Sequence, residues 1–153
     1  MFYWIALIMT AVDQITKLFV RFNMQVGDSH TVWDGILRFT FYQNSGAARS
    51  SFQGYGRLFG IAAVIFIALV IYYRRQNRGE RRLMDIGLAF LVAGAAGNGI
   101  ERLLFGKVTD FLQFGSGDGI LNIADLCINV GLLAVIVQQL FFSRGAKNKQ
   151  AVS

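Results

Sequence analysis

Proline is absent from the 153 residues, and cysteine and histidine occur once each. Without proline, any break in a helix has to come from glycine. The single Cys127 lies inside an apolar run and cannot form an internal disulfide, so it reads as packing and carries no redox information. One histidine, His30, in a polar stretch, rules out both an H-E-x-x-H zinc site and a Ser-His nucleophile pair, and leaves His30 as a surface residue. A Ser-Lys pair fails as well, because Lys17 has Asp13 one turn away and no serine at helical spacing. Charge is also scarce: 16% of the chain is charged against 54% hydrophobic. That balance does not suit a soluble globule.

What is abundant is apolar sequence in long runs. Lipid cannot hydrogen-bond a backbone, so such runs cross a membrane as helices of roughly 20 residues each. Four are expected, at about 2–19, 58–73, 83–104 and 121–142. The first lacks a basic leader and carries Asp13 and Lys17 in its second half, so it reads as a helix that stays, with Phe2, Tyr3 and Trp4 as interfacial anchors. Lysine and arginine outnumber aspartate and glutamate by 15 to 9. The excess sits beside the apolar runs, which speaks for membrane topology and against nucleic acid as a partner. Five arginines crowd residues 74–82, next to Tyr72 and Tyr73, and Arg144, Lys147 and Lys149 follow the last run. Both termini and a tail at 144–153 are then cytoplasmic, and segments 21–57 and 105–120 face outward. In the outer segment, Leu37, Phe39 and Phe41 alternate with Arg38, Thr40 and Tyr42 after an Asp34-Gly35 turn, the period of a half-buried strand, with Val32 and Trp33 on the strand before. The whole is one domain with a small outer β segment at about 24–55.

Ionisable groups in membrane helices are costly unless they face a partner or water, so each is a candidate. Asp13, Gln14 and Lys17 form one cluster; Asn98, Glu101 and Arg102 a second; Asn122, Asp125 and Asn129 a third. All lie toward the outer side, level with Asp110 in the outer connection. Residues three or four apart share a helix face. Bland readings stand beside these: Asp13 and Lys17 as a neutralised structural pair, Asn122 and Asp125 as a helix N-cap, the Asn98 cluster as a positioning device. Gly94, Gly97 and Gly99 permit close helix packing.

Carboxylates are the chemistry left over. Two held close together cannot easily both ionise; one keeps a proton while the other stays charged. The charged member can take a proton from attacking water, and the protonated one can hydrogen-bond a scissile carbonyl. No metal or other cofactor is required. Asp110 and Asp125 are the best pair. Gly115-Ser116-Gly117-Asp118 spells a G-x-G-D string, but it lies in a glycine-rich turn and not in a membrane helix, which argues against Asp118.

Five blocks, in order, resemble the lipoprotein signal peptidase (signal peptidase II) family. Asp13-Gln14-Ile15-Thr16-Lys17 resembles D-Q-x-[ST]-K, and Asn44-Ser45-Gly46-Ala47-Ala48 resembles N-x-G-A-A. Residues 93–102, ending Gly97-Asn98-Gly99-Ile100-Glu101-Arg102, resemble G-G-A-x-G-N-x-x-D-R. Val108-Thr109-Asp110-Phe111 resembles V-V-D-F, and Asn122-Ile123-Ala124-Asp125 resembles F-N-x-A-D. The resemblance implies an all-α membrane protein of four transmembrane helices with an extracytoplasmic β-cradle, acting as an aspartyl endopeptidase of the bacterial inner membrane. Its implied substrate is a diacylglyceryl-modified prolipoprotein cut before the lipid-modified cysteine. Catalysis falls on Asp110 and Asp125, and Lys17, Asn44, Gly94, Asn98, Arg102 and Asn122 line or support the site; the clusters add Asp13, Glu101 and Asn129. A monomer among membrane lipids is expected. Three positions depart from the family pattern: Glu101 for Asp, Arg49 for Phe and Leu121 for Phe. Two other readings compete, a small proton-coupled transporter and a noncatalytic membrane scaffold.

Overall fold

The computed structural model describes residues 1–46, 52–77, 82–115, 117 and 119–150, with side chains as far as 141. Ala47, Ala48, Arg49, Ser116, Asp118, Arg78, Arg81 and the side chains of Arg144, Lys147 and Lys149 therefore lie outside the described residues. The order is α1 (Phe2–Asn23), β1 (Ser29–Trp33), β2 (Leu37–Asn44), α2 (Gly56–Gln76), α3 (Arg82–Phe105), β3 (Val108–Phe114), β4 (Ile120–Leu121) and α4 (Ile123–Gln150).

Among the described residues, three helices are long and apolar enough to cross a membrane: α2, α3 and the Ile123–Phe141 part of α4, at mean hydropathies of 2.1, 1.5 and 1.8. α1 has the length, 22 residues, but carries Asp13, Lys17 and Arg21 in its second half. Its charges do not point outward. Asp13 and Lys17 are fully buried, whereas Leu7, Ile8, Ile15, Leu18 and Phe19 are exposed. The outer surface of α1 is thus as apolar as that of α2, which exposes Leu58, Ile61, Val64, Ile65 and Leu69.

α3 is the central helix, packed against α1, α2 and α4. Small residues allow this. A Cβ at Gly94 would run into the Ala124 carbonyl oxygen and the Ile128 side chain, and one at Gly131 would meet the Gly87 carbonyl at 2.7 Å. Glycine here is a matter of close approach between helices. Gly94→Ala is therefore expected to force α4 away from α3 and to lower stability by about 1–3 kcal/mol, as overpacking does. Thermal unfolding in detergent measures this, and an unchanged midpoint would mean that the two helices do not sit so close. At the opposite end of the bundle, Arg74 makes a forked pair with Asp85 at 3.0 and 3.1 Å and lies 4.4 Å over the Phe2 ring, closing α2 onto α3 and α1.

The strands form one antiparallel sheet in the order β1-β2-β3-β4. Gly35, at φ 71°, makes the β1–β2 turn in a conformation that side chains resist. Val20, at the end of α1, clusters with the buried Phe41, Phe111 and Leu112 of the sheet, and Phe39 is set edge-on to Phe111. Leu121 packs into the same cluster, so an apolar seat takes leucine at this position. Two residues of β2, Thr40 and Phe41, stand against Phe111 alone: Phe39 pairs with Leu112, but Tyr42 pairs with Asp110. This bulge reverses which face each later residue of β2 points to. Asn44 consequently shares a face with Asp110, where unbroken alternation from Leu37 would have turned it away.

Candidate active site

Asp110 lies, as expected, in the connection between α3 and α4, but that connection is a strand: Asp110 sits within β3, paired with Tyr42 of β2 and 3% exposed. The segment hid its strand character because residues 108–112 are buried without alternation, an acid included. Asp125 is the third residue of α4. Its Oδ2 accepts from the backbone N–H of Asn122 at 3.2 Å, while its own N–H donates to Asn122 Oδ1 at 2.9 Å. This is a reciprocal helix cap. The cap and the chemical reading of these two residues are therefore one arrangement and not alternatives.

Two amides bridge the carboxylates. Asn122 Nδ2 donates to Asp110 Oδ1 at 2.6 Å and to Asn98 Oδ1 at 3.1 Å, and Asn98 Nδ2 donates to Asp125 Oδ1 at 2.8 Å. Asn44 Nδ2 reaches Asp110 Oδ2 at 3.2 Å. Four segments far apart in sequence, β2, α3, β3 and the start of α4, thus converge on one pair of acids. Burial, reinforced by the charge of Asp125, pushes the Asp110 carboxyl up to about 7, against the opposing hydrogen bonds from Asn122 and Asn44. Arg102 sends Nη2 to the Gly46 carbonyl at 3.3 Å, and its buried Nε has no hydrogen-bond partner among the described residues.

Behind the amides lies a buried ionic layer. Lys17 Nζ contacts Asp13 Oδ2 at 2.9 Å, Glu101 Oε2 at 3.3 Å and Asn98 Oδ1 at 2.9 Å. Asp13 Oδ1 accepts the N–H of Ala124 at 2.8 Å, so an acid of α1 caps the first turn of α4, next to Asp125. Gln14 donates to the Gly97 carbonyl at 2.9 Å. Arg21, one turn beyond Lys17, pairs with Glu101 at 3.3 Å, so two cations balance two carboxylates. Arg21 and Thr109 were missed in the sequence. The available signal for Arg21 was its i+4 spacing from Lys17; Thr109 offered none beyond standing next to Asp110.

Asn129 stands apart from the cluster. It is exposed and makes no hydrogen bond to the cluster among the described residues. Spacing puts it below Asp125, but α4 packs on α3 through Ala124, Ile128 and Gly131. Both Asp125 and Asn129 lie one residue off that stripe, and only Asp125 is covered, by Asn98 and Asn122.

A family model described as signal peptidase II matches residues 5–141. The chain belongs to the signal peptidase II family. It is an aspartic peptidase of that type in a bacterial membrane. A lipoprotein signal peptidase of Bacillus pumilus is 36% identical over 157 residues, covering all of both chains. One of Listeria welshimeri is 40% identical over 139 residues, 89% of this chain and 90% of that one. Two solved bacterial membrane enzyme structures share the fold. One has a TM-score of 0.88 at 31% identity, over 93% of this chain and 88% of that chain. The other has 0.83 at 32%, over 91% and 92%.

Proposed function

We propose that this peptidase removes the signal peptide from diacylglyceryl-modified prolipoproteins, cutting before the lipid-modified cysteine, with Asp110 and Asp125 as its catalytic pair. The observation that carries the residue assignment is the bridge of Asn122 and Asn98 between two acids from different segments, one of them buried in a sheet. In this reading Asp110 holds the proton and hydrogen-bonds the scissile carbonyl oxygen, while charged Asp125 takes a proton from the attacking water. The tetrahedral intermediate collapses as the leaving amine is protonated. Asn44, Asn98 and Asn122 orient the carboxyl groups, Gly94 lets α4 close on α3, and Asp13, Lys17 and Glu101 hold the layer beneath. Arg102, with an uncommitted N–H close by, faces the substrate backbone.

The reading includes topology. α1 is the fourth crossing, since its charges are turned inward against α3 and α4 and its surface is apolar. The basic segment at 74–82 and both termini are cytoplasmic, and the sheet and acid pair lie on the outer side of the inner membrane. A monomeric single domain completes this reading. A transporter would hold its key acid near the bilayer midplane. Here Asp110 lies in a strand beyond the helices and Asp125 in the first turn of α4.

The pH profile tests the division of roles. Cleavage requires one proton on the pair, so the rate is expected to fall as pH rises through about 7, where Asp110 ionises, and to fall again in acid, where both are protonated. A rate that is flat across about pH 6–9 would remove Asp110 from the proton-donor role.

A further inference from the structure

Glu101 of α3 and Thr109 of β3 touch each other one residue from Asp110. In the structure both are buried, at 1% and 3% exposure. Glu101 Oε1 accepts the Thr109 hydroxyl at 2.8 Å, and Oε2 accepts the Thr109 backbone N–H at 2.9 Å. The same carboxylate pairs with Lys17 and Arg21, each at 3.3 Å. Successive side chains of a strand point to opposite faces. Thr109 therefore faces Glu101 while Asp110 faces Asn122 and Asn44, and Glu101 grips β3 from behind, one residue from the acid.

We propose that Glu101 and Thr109 form a latch that positions Asp110. The inference rests on the assignment of Asp110 to the catalytic pair. The length of glutamate brings its carboxylate to both the hydroxyl and the N–H of Thr109, while Lys17 shares Oε2 and Arg21 shares Oε1. An aspartate, one methylene shorter, retracts from Thr109 and leaves a buried hydroxyl without an acceptor. A valine at 109 removes the hydroxyl and strips Glu101 Oε1 of one donor. Either change breaks the hydroxyl contact, so making both removes nothing further from it. Glu101 and Thr109 act through Asp110 and touch no reacting atom, so the effect falls on kcat.

The test is a double-mutant cycle on the full chain in detergent, with a diacylglyceryl-modified prolipoprotein as probe. Glu101→Asp and Thr109→Val are each expected to lose about tenfold in kcat with KM within about twofold, and the double variant to be hardly worse than the poorer single. A double variant whose loss equals the product of the single losses overturns the latch, as does a loss confined to KM. Should Glu101→Asp fail to fold, Thr109→Val against Thr109→Ser decides: the latch requires serine to rescue what valine loses, and equal activities contradict it. Asp110→Asn is measured in parallel. If it cleaves at the parent rate, the catalytic assignment falls and the latch with it; if it is dead while the cycle is additive, the latch alone falls.

Discussion

Asp110→Asn and Asp125→Asn are each expected to lose cleavage by about 10³-fold or more while remaining folded, with the double variant hardly worse than either single. The geometry gives the reason for each part. Asparagine is close to aspartate in shape, and its carbonyl can still accept from Asn122 Nδ2 at position 110 or from Asn98 Nδ2 at position 125. The amide cannot hold or take the proton that hydrolysis moves. In the proposed pair the two acids share one proton, so removing either would remove the function of the pair, and the losses would not multiply. Thermal unfolding of each variant alongside its cleavage rate checks both halves. Additive losses would assign the acids to separate jobs, and a variant that cleaves normally would release its acid from the site.

Lys17→Met is expected to act on the fold instead. Lys17 is wholly buried between Asp13 and Glu101 and also donates to Asn98. Removing one partner of a buried ionic group costs about 3–5 kcal/mol, since the charges left behind lose their compensation. Arg21 reaches Glu101 but makes no contact with Asp13 among the described residues, so Asp13 is left with only the N–H of Ala124 and the amide of Gln14. The unfolding midpoint in detergent should drop sharply, and activity should fall with it because Asn98 and Ala124 are the supports of Asp125. A midpoint near the parent value would show that the buried layer contributes little and that the pairing is incidental.

How much of this was legible in the sequence depended on what carried each signal. Asp13, Lys17, Asn98, Asn122 and Asp125 stood out because polar groups are conspicuous in apolar helices; the topology read from the basic residues put them at one level, and spacing put neighbours on one face. The pairing of Asp13 with Lys17 also followed from their spacing. The capping of Ala124 by Asp13 did not, because a contact between α1 and α4 has no local trace. Asp110 could be chosen as an acid but not placed on a strand, since β3 is buried on both faces and shows no alternation. Asn44 was visible only through resemblance: the bulge at Thr40 and Phe41 that turns it toward Asp110 breaks the very alternation by which β2 was recognised. Asn129, by contrast, lies outside the cluster. Its spacing was right, but burial depends on what covers a residue, and no neighbouring element covers it at that depth. Glu101 looked like a mild departure on its own. Its meaning came from Thr109, eight residues away and in another element.

The most direct measurement is the cleavage of a prolipoprotein, with and without its diacylglyceryl group, by the purified chain in detergent, with the Asp110→Asn/Asp125→Asn double variant as the blank. The expected result is cleavage of the lipid-modified substrate alone, yielding a product that begins at the modified cysteine, and none by the double variant. A folded parent chain that leaves the modified substrate intact, or a double variant that cuts it, would contradict the assignment of these two acids as a prolipoprotein-cleaving pair.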